Sequence, residues 1–387
     1  MTKQLHFTLV MPHYTFSSNG VMVLYLLADT LEQLGHRVTF VPQNREVFVE
    51  RRADYPPRYL EKFAADYGAV DPESIAIIPE TTSPEIVSSL ASKRRVWYLL
   101  NKPILLTHKP IIYRPEDLVV TYSGLVSKIY FNLFILREIP ELNLESIGAP
   151  VMPKEDLILF YYGKSRKSNV PGNIRKLIKS RGAKVIVINR IFPKSRDLLF
   201  DLLKRARLLV SYDPFTNLNY EATLCGTPCY ILDNYMNLDY SDFNLPLHGI
   251  FESKQEIEPY YDNGVNRELV IHNYKTAISN NRPITDEFTR LCEDWFNLMD
   301  QLGQSKAGRR LLFQQNELRI LNDQLSHGKM GFVHISSALH AYVAPPLRLQ
   351  DRMKNRLTRI RWRIYRMWYK HFCGIRGVDL DDRLNNI

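Results

Sequence analysis

The sequence predicts an α/β protein with two doubly wound parallel sheets and a helical extension at its C-terminus. Three observations lead there. Apolar runs of strand length alternate with helical patterns, a proline-rich break interrupts the alternation once, and the last forty or so residues turn into a dense basic helix pattern. At 387 residues the chain is too long for one ordinary core and suits two domains plus an appendage. Hydrophobic residues make up 45% of it, which fits a folded protein rather than a disordered one.

The elements follow in order. Leu5 to Met11 is an apolar strand, Gly20 to Leu34 (GVMVLYLLADTLEQL) has apolar residues at helical spacing, Gly35 ends that helix, and Arg37 to Val41 is the next strand. Ser74 to Ile78, Val96 to Leu100 and Leu118 to Thr121 are further short strands. The break is Ile139 to Lys154 (IPELNLESIGAPVMPK), with three prolines and no periodicity, and it reads as a linker between domains. Strands resume at Leu157 to Tyr162, Lys184 to Asn189 and Arg207 to Tyr212, separated by helices over Asn173 to Ser180 and Ser195 to Ala206. The expected division is residues 1–145, residues 146–285, a helical segment 286–344 returning toward the first domain, and a basic tail 345–387.

Cysteine usage and hydropathy narrow the setting. Cys225, Cys229, Cys292 and Cys373 show no paired ligand spacing, and Cys225 and Cys229 fall where small buried hydrophobes belong, which fits a reducing cytoplasm. The N-terminus has one Lys and a short apolar run ended by Pro12, too short for a signal peptide and better read as a strand. No run of about 18 apolar residues is available to span a membrane. The net charge of +10 is concentrated: Arg348 to Arg376 holds ten basic residues and one acid, Asp351, while the rest of the chain is close to neutral. The body of the protein therefore carries no general nucleic-acid-binding charge, and a local basic device remains.

The densest chemical signal is Ser211 to Ile231, SYDPFTNLNYEATLCGTPCYI. Two carboxylates, Asp213 and Glu221, bracket a turn into a short helix between two apolar strands. In an open α/β sheet such a loop sits at the carboxyl ends of the strands, where ligands bind. Free N–H groups at the helix start, Thr216 to Asn219, suit a phosphate, and carboxylates beside them accept hydrogen bonds from sugar hydroxyls. Asp before Pro is also a common turn former, and Glu near a helix start a common dipole partner. The wider string, an acid, seven residues, Glu, and a small-residue helix ending in Gly-Thr-Pro, resembles the donor-sugar motif of the retaining GT-B glycosyltransferases of family 4 type. The first acid here is Asp213, where those enzymes usually have Glu.

That resemblance covers roughly Leu5 to Leu302 and implies two Rossmann-like domains facing across a cleft. It implies a nucleotide-diphosphate sugar as donor, a glycan or lipid-linked acceptor, and no cofactor or metal. Glu221 would hold the ribose hydroxyls and Asp213 would contact the transferred sugar, while Phe215, Thr216, Asn217 and Leu218 would line the donor through their N–H groups. Tyr161 to Ser168 (YYGKSRKS) ends the first strand of the second domain, where such enzymes carry a Gly-Arg pair and a later Lys meeting the diphosphate. Lys164 stands in place of the Arg, and Arg166 or Lys167 supplies a second cation; a solvated basic loop is the other reading. In the loop Pro12 to Gly20, Asn19 and Gly20 match small residues that approach the donor phosphates, although Asn19 also serves as a helix cap. His13 in that loop takes the place of the general base of inverting members, or is a polar loop residue. His108 reads as a surface histidine.

The tail carries a separate signal. Met353, Leu357, Ile360, Ile364 and Met367 fall on one helical face, and Arg352, Arg356, Arg359, Arg363, Arg366 and Lys370 fill the rest with Trp362, Tyr365, Trp368 and Tyr369 between. Basic residues with interfacial aromatics suit attachment to an anionic membrane surface; packing on the protein's own body and RNA contact are the alternatives. The expectation is a cytoplasmic glycosyltransferase peripherally attached to the inner face of the membrane, with retention from the acidic pair and inversion through His13 as the fallback. The competing readings are a scaffold of the same fold without turnover and a nucleic-acid-associated protein using the tail, although nucleic acid is not the expected partner.

Overall fold

Among the described residues ten strands form two five-stranded sheets, each wholly parallel and each with the same winding. The computed structural model describes residues 3–304 except 16–17, 102–110, 112, 115, 124–133, 138, 140–143, 145–146, 148–152, 164–169, 190–191, 214–215, 233–248 and 253–257. These belong to one compact unit, Met1–Ser326; a second, His327–Ile387, contains the basic tail and lies outside the described residues.

In the first half β1 (His6–Met11) leads through α1 (Asn19–Gln33) to β2 (Arg37–Pro42). The short helices α2 (Arg45–Glu50) and α3 (Pro57–Leu60) precede β3 (Ile75–Pro79), and α4 (Pro84–Ser89), β4 (Arg94–Leu99) and β5 (Leu118–Thr121) follow. The second half runs β6 (Glu155–Tyr161), α5 (Gly172–Arg181), β7 (Lys184–Ile188), α6 (Arg196–Arg205), β8 (Ala206–Ser211), α7 (Asn217–Leu224), β9 (Cys229–Ile231) and β10 (Ile250–Glu252), then α8 (Glu258–Asn263), α9 (Arg267–Ser279) and α10 (Asn281–Gly303). Strand order is β2-β1-β3-β4-β5 in one sheet and β10-β9-β8-β6-β7 in the other. Both are Rossmann-like doubly wound sheets with flanking helices, as the sequence leads one to expect. In each, the first and third strands are neighbours, so the loops leaving them part to opposite sides of the sheet.

Most of the strands form where they do because both faces are covered, so apolar runs need not alternate; edge strand β7 is the exception, with Val185 and Val187 exposed. Phe7, Leu9 and Met11 of β1 pack under Val23, Leu24, Leu27 and Leu31 of α1, while Val10 faces a second layer with Ile78, Trp97, Leu99 and Val87. In the second sheet Leu157 and Leu159 meet Leu203 of α6 and Ala222 and Leu224 of α7, and Ile158 and Phe160 meet Ile174 and Leu177 of α5. Local sequence sets the ends. Gly35, at φ 87°, stops α1 as expected, and the side-chain oxygens of Ser195, Thr216 and Asn266 accept N–H groups to start α6, α7 and α9. At α1, Ser18 occupies the cap position and Asn19 is the first helical residue, which corrects the capping role weighed for Asn19.

The proline-rich stretch is partly built into the body: Ile139 and Ile147 are buried in the core of the second sheet. Cys225, Cys229 and Cys292 are buried free thiols, as small hydrophobes would be. No described helix is long and apolar enough to cross a membrane.

Although it follows the second sheet in the chain, α10 packs on the first. Phe288, Cys292 and Phe296, spaced at helical steps, enter the core beside β1 and α1, Trp295 Nε1 donates to Glu116 O at 2.8 Å, and Asp300 pairs with Arg94 at 3.1 Å. At its first residue the Asn281 amide closes both ways on the backbone of Ile139, accepting its N–H and donating to its C=O at 2.9 Å each. Asn281 is 8% exposed, so removing its side chain strands two buried backbone groups at about 1–3 kcal/mol each. Asn281→Ala is expected to lower Tm by several degrees in a thermal scan. Asn280→Ala, which removes a side chain that makes no capping bond, is expected to leave Tm nearly unchanged.

Candidate functional site

The site begins at the switch point of the second sheet, where β6 and β8 lie side by side and run out together. Tyr212 N–H donates to Tyr161 O at 2.8 Å, and the rings of Tyr162 and Tyr212 stack at 4.9 Å, which holds the two strand exits in register. One residue further, Gly163 adopts φ +55° and lies on Asp213. A Cβ at Gly163 would stand 2.4 Å from Asp213 Cβ and 2.6 Å from its Oδ2, so this backbone and this carboxylate approach more closely than any side chain at 163 permits. Asp213 is 2% exposed.

The turn after Asp213 is built from its neighbours. Ser211 Oγ donates to Asp213 O at 3.0 Å and accepts Asp213 N–H at 3.3 Å, and Asn219 Nδ2 donates to the same carbonyl at 2.9 Å. Asn219 thereby ties the first turn of α7 back to the strand exit. Thr216 Oγ1 accepts Leu218 N–H as the cap, so the start of α7 is fixed at the carboxyl edge of the sheet. The Gly-Thr-Pro that closes the motif is structural: buried Thr227 Oγ1 donates to Leu203 O, lies 3.0 Å from Ala206 O, and takes a bond from Lys154 Nζ at 2.5 Å. Burial first, then the nearby Arg267 and Arg207, pulls the Lys154 ammonium down to about 8 against the opposing influence of Cys225. Arg267 caps the far end of α7 through Leu224 O at 2.9 Å and reaches Ile147 O at 2.8 Å.

Glu221 is the fifth residue of α7, a turn beyond the first-turn position weighed for it, and its carboxylate is buried. Its partner is Arg196, the first residue of α6: Arg196 Nη2 donates to Glu221 Oε1 at 2.5 Å. Burial raises the Glu221 pKa and the Arg196 guanidinium opposes the rise. Arg196 was not singled out by the sequence. The two acids of the motif thus sit in different surroundings, Asp213 packed close against Gly163 and Glu221 paired with an arginine from the neighbouring helix.

In the first sheet His13 sits in the loop after β1, its Nε2 3.2 Å from Asp54 Oδ2 and its ring edge-on to Tyr55 at 5.2 Å. Burial and then Arg51 lower its pKa against the pull of Asp54, which favours the neutral imidazole near neutral pH. Gly20, in the first turn of α1, would meet only Leu100 Cδ1 at an ordinary 3.6 Å if it carried a Cβ. A polar group missed in the sequence lies after β3, the other strand of that switch point: buried Glu80 accepts Leu100 N–H at 3.0 Å, and Gln43 Nε2 donates to Thr81 Oγ1 at 2.7 Å. Lys164, Arg166, Lys167, Phe215 and His108 lie outside the described residues, as do Arg352, Arg356, Arg359, Trp362, Arg363, Arg366 and Trp368.

No family model matches the chain, and no curated protein matches it. Similar solved structures include a glycosyltransferase from Rickettsia africae ESF-5, with 12% identity over 76% of this chain and 99% of that one at a TM-score of 0.45. The wall teichoic acid polymerase TagF is 10% identical over 76% and 89% at a TM-score of 0.35, and the glycosyltransferase SnogD from Streptomyces nogalater 10% over 75% and 100% at 0.32. The doubly wound assignment rests on the strand pairing within each sheet.

Proposed function

We propose that this chain transfers a sugar from a nucleotide-diphosphate donor to a glycan or lipid-linked acceptor, with residues 146–285 holding the donor and residues 1–145 the acceptor. The observation that carries the proposal is the contact of Gly163 with Asp213 at the switch point of the second sheet, beside the start of α7. Open α/β sheets take ligands at that point, the helix start favours phosphate, and a carboxylate accepts hydroxyl hydrogen bonds. In this proposal Glu221 takes the ribose hydroxyls, Asp213 contacts the transferred sugar, and the N–H groups of residues 215–218 face the donor. Lys164, Arg166 or Lys167 meets the diphosphate as its charge grows, so that no metal is required. Retention is the expected stereochemistry from the acidic pair.

One observation favours a second reading of the stereochemistry. His13, held near Asp54 with its neutral form favoured, has what a general base needs, and would support inversion. In either case the basic tail holds the protein at the inner face of the membrane, each basic residue contributing on the order of 1 kcal/mol near an anionic leaflet.

Glu221→Ala removes charge-assisted hydrogen bonds of about 1.5–3 kcal/mol each and should weaken nucleotide-sugar binding by roughly tenfold or more in calorimetry. Unchanged affinity would remove the role given to Glu221. A scaffold without turnover would bind the donor yet neither hydrolyse nor transfer its sugar. The anomeric configuration of the product, read by proton NMR, decides between the two chemistries. Retention, with His13→Ala sparing turnover, is expected; an inverted product together with a loss of about 10²–10⁴-fold in His13→Ala would assign the base to His13. Truncation before Pro345 should leave the body folded and release it from anionic liposomes, and equal co-sedimentation of both forms would rule out the tail as the anchor.

A further inference from the structure

We infer that Arg196 is a positioning residue of the proposed donor site, holding the Glu221 side chain as an ionised, fixed acceptor of hydroxyl hydrogen bonds. The inference rests on the donor-site reading and adds to it a residue outside the motif. Its first support is geometric. The Ser195 side chain accepts Leu198 N–H at 3.2 Å to start α6, which sets Arg196 at the helix's first position, and the Arg196 guanidinium lies over the Phe200 ring at 5.3 Å. The guanidinium is thus held between the ring one turn along and Glu221 Oε1. Side chains on a helix lean toward its N-terminus, so a Glu221 held there is aimed back toward the turn at Asp213.

The second support is electrostatic. A carboxylate at 7% side-chain exposure loses most of its hydration, and without a compensating charge it takes up a proton. A protonated carboxyl donates one hydrogen bond and cannot accept a pair of hydroxyls as the anion does. Arginine stays charged at all accessible pH, and at 30% exposure keeps part of its own hydration. Among the described residues, Arg196 is the charge that acts on Glu221. Cys225, one turn on, is a thiol pushed up to about 12 by burial and next by Glu221 itself. Lys154, Lys204 and Arg267 act on Cys225 at the far end of the helix, and Tyr220 faces Tyr274 of α9 at 5.7 Å, its hydroxyl kept protonated chiefly by burial. On the strand side Asp213 is an acid and adds no positive charge.

The consequence is a pH signature that a merely structural arginine would not produce. In the full-length chain, binding of UDP, GDP, ADP, CDP and dTDP is measured by calorimetry at about pH 6.0, 7.0 and 8.5, all above the ordinary carboxylate range. The nucleotide that binds is expected to vary less than about threefold across this range in the unmodified protein. In Arg196→Gln, and in the similarly sized Arg196→Met should the first fail to fold, affinity is expected to fall about tenfold or more at pH 6.0 and to recover toward pH 8.5. Arg196→Lys, which keeps the charge, should restore the flat profile. In a Glu221→Gln background the removal of Arg196 should add less than about a further twofold. A loss in Arg196→Gln that is equal at every pH, or that persists in full on Glu221→Gln, overturns the inference and leaves the donor site standing. Failure of Glu221→Gln itself to weaken nucleotide binding removes the role given to Glu221, and this inference with it.

Discussion

The pairing of β6 with β8 is the constraint on which the second half of the molecule depends. It sets Leu159 beside Leu209 and Tyr161 beside Ser211, so both strands end at the same level with no intervening strand. Two chain segments leave one edge at neighbouring positions, and here one of them gives up its side chain. Gly163 does so, and Asp213 fills the space. The turn through Ser211 and Asn219 and the start of α7 are then placed by short-range bonds from that point.

Much of the fold was legible in the sequence because most of its strands are buried on both faces. Runs such as LILFY in β6 and RLLVS in β8 belong in the interior of a folded domain, and their observed ends fall within a residue or two of expectation. The helices α2, α3 and α4 were not legible, being four to six residues long and too short to show a period. Asn19 was displaced by one position from the cap, a distance that cap statistics do not resolve.

The candidate site was legible in part. The spacing of Asp213 and Glu221 placed both near one strand exit, since that depends only on the local run of strand, turn and helix. Their partners were not legible. Gly163 matters because β6 pairs with β8, and Arg196 because α6 packs beside α7; both are relations between distant stretches that no spacing rule contains. Thr227 shows the reverse case, a motif residue whose hydroxyl is spent on the α6 to β8 turn rather than on a ligand.

The placement of α10 has a consequence for how the protein is made. Phe288, Cys292 and Phe296 belong to the core over β1, so that core is not built from one contiguous stretch of chain. A ribosome working from the N-terminus delivers all ten strands before the helix that finishes that core. The second sheet can therefore solidify while the first still carries an open apolar face, the reverse of the order in which the halves are synthesised. A fragment ending at the proline-rich stretch would keep that face open to any apolar surface it meets.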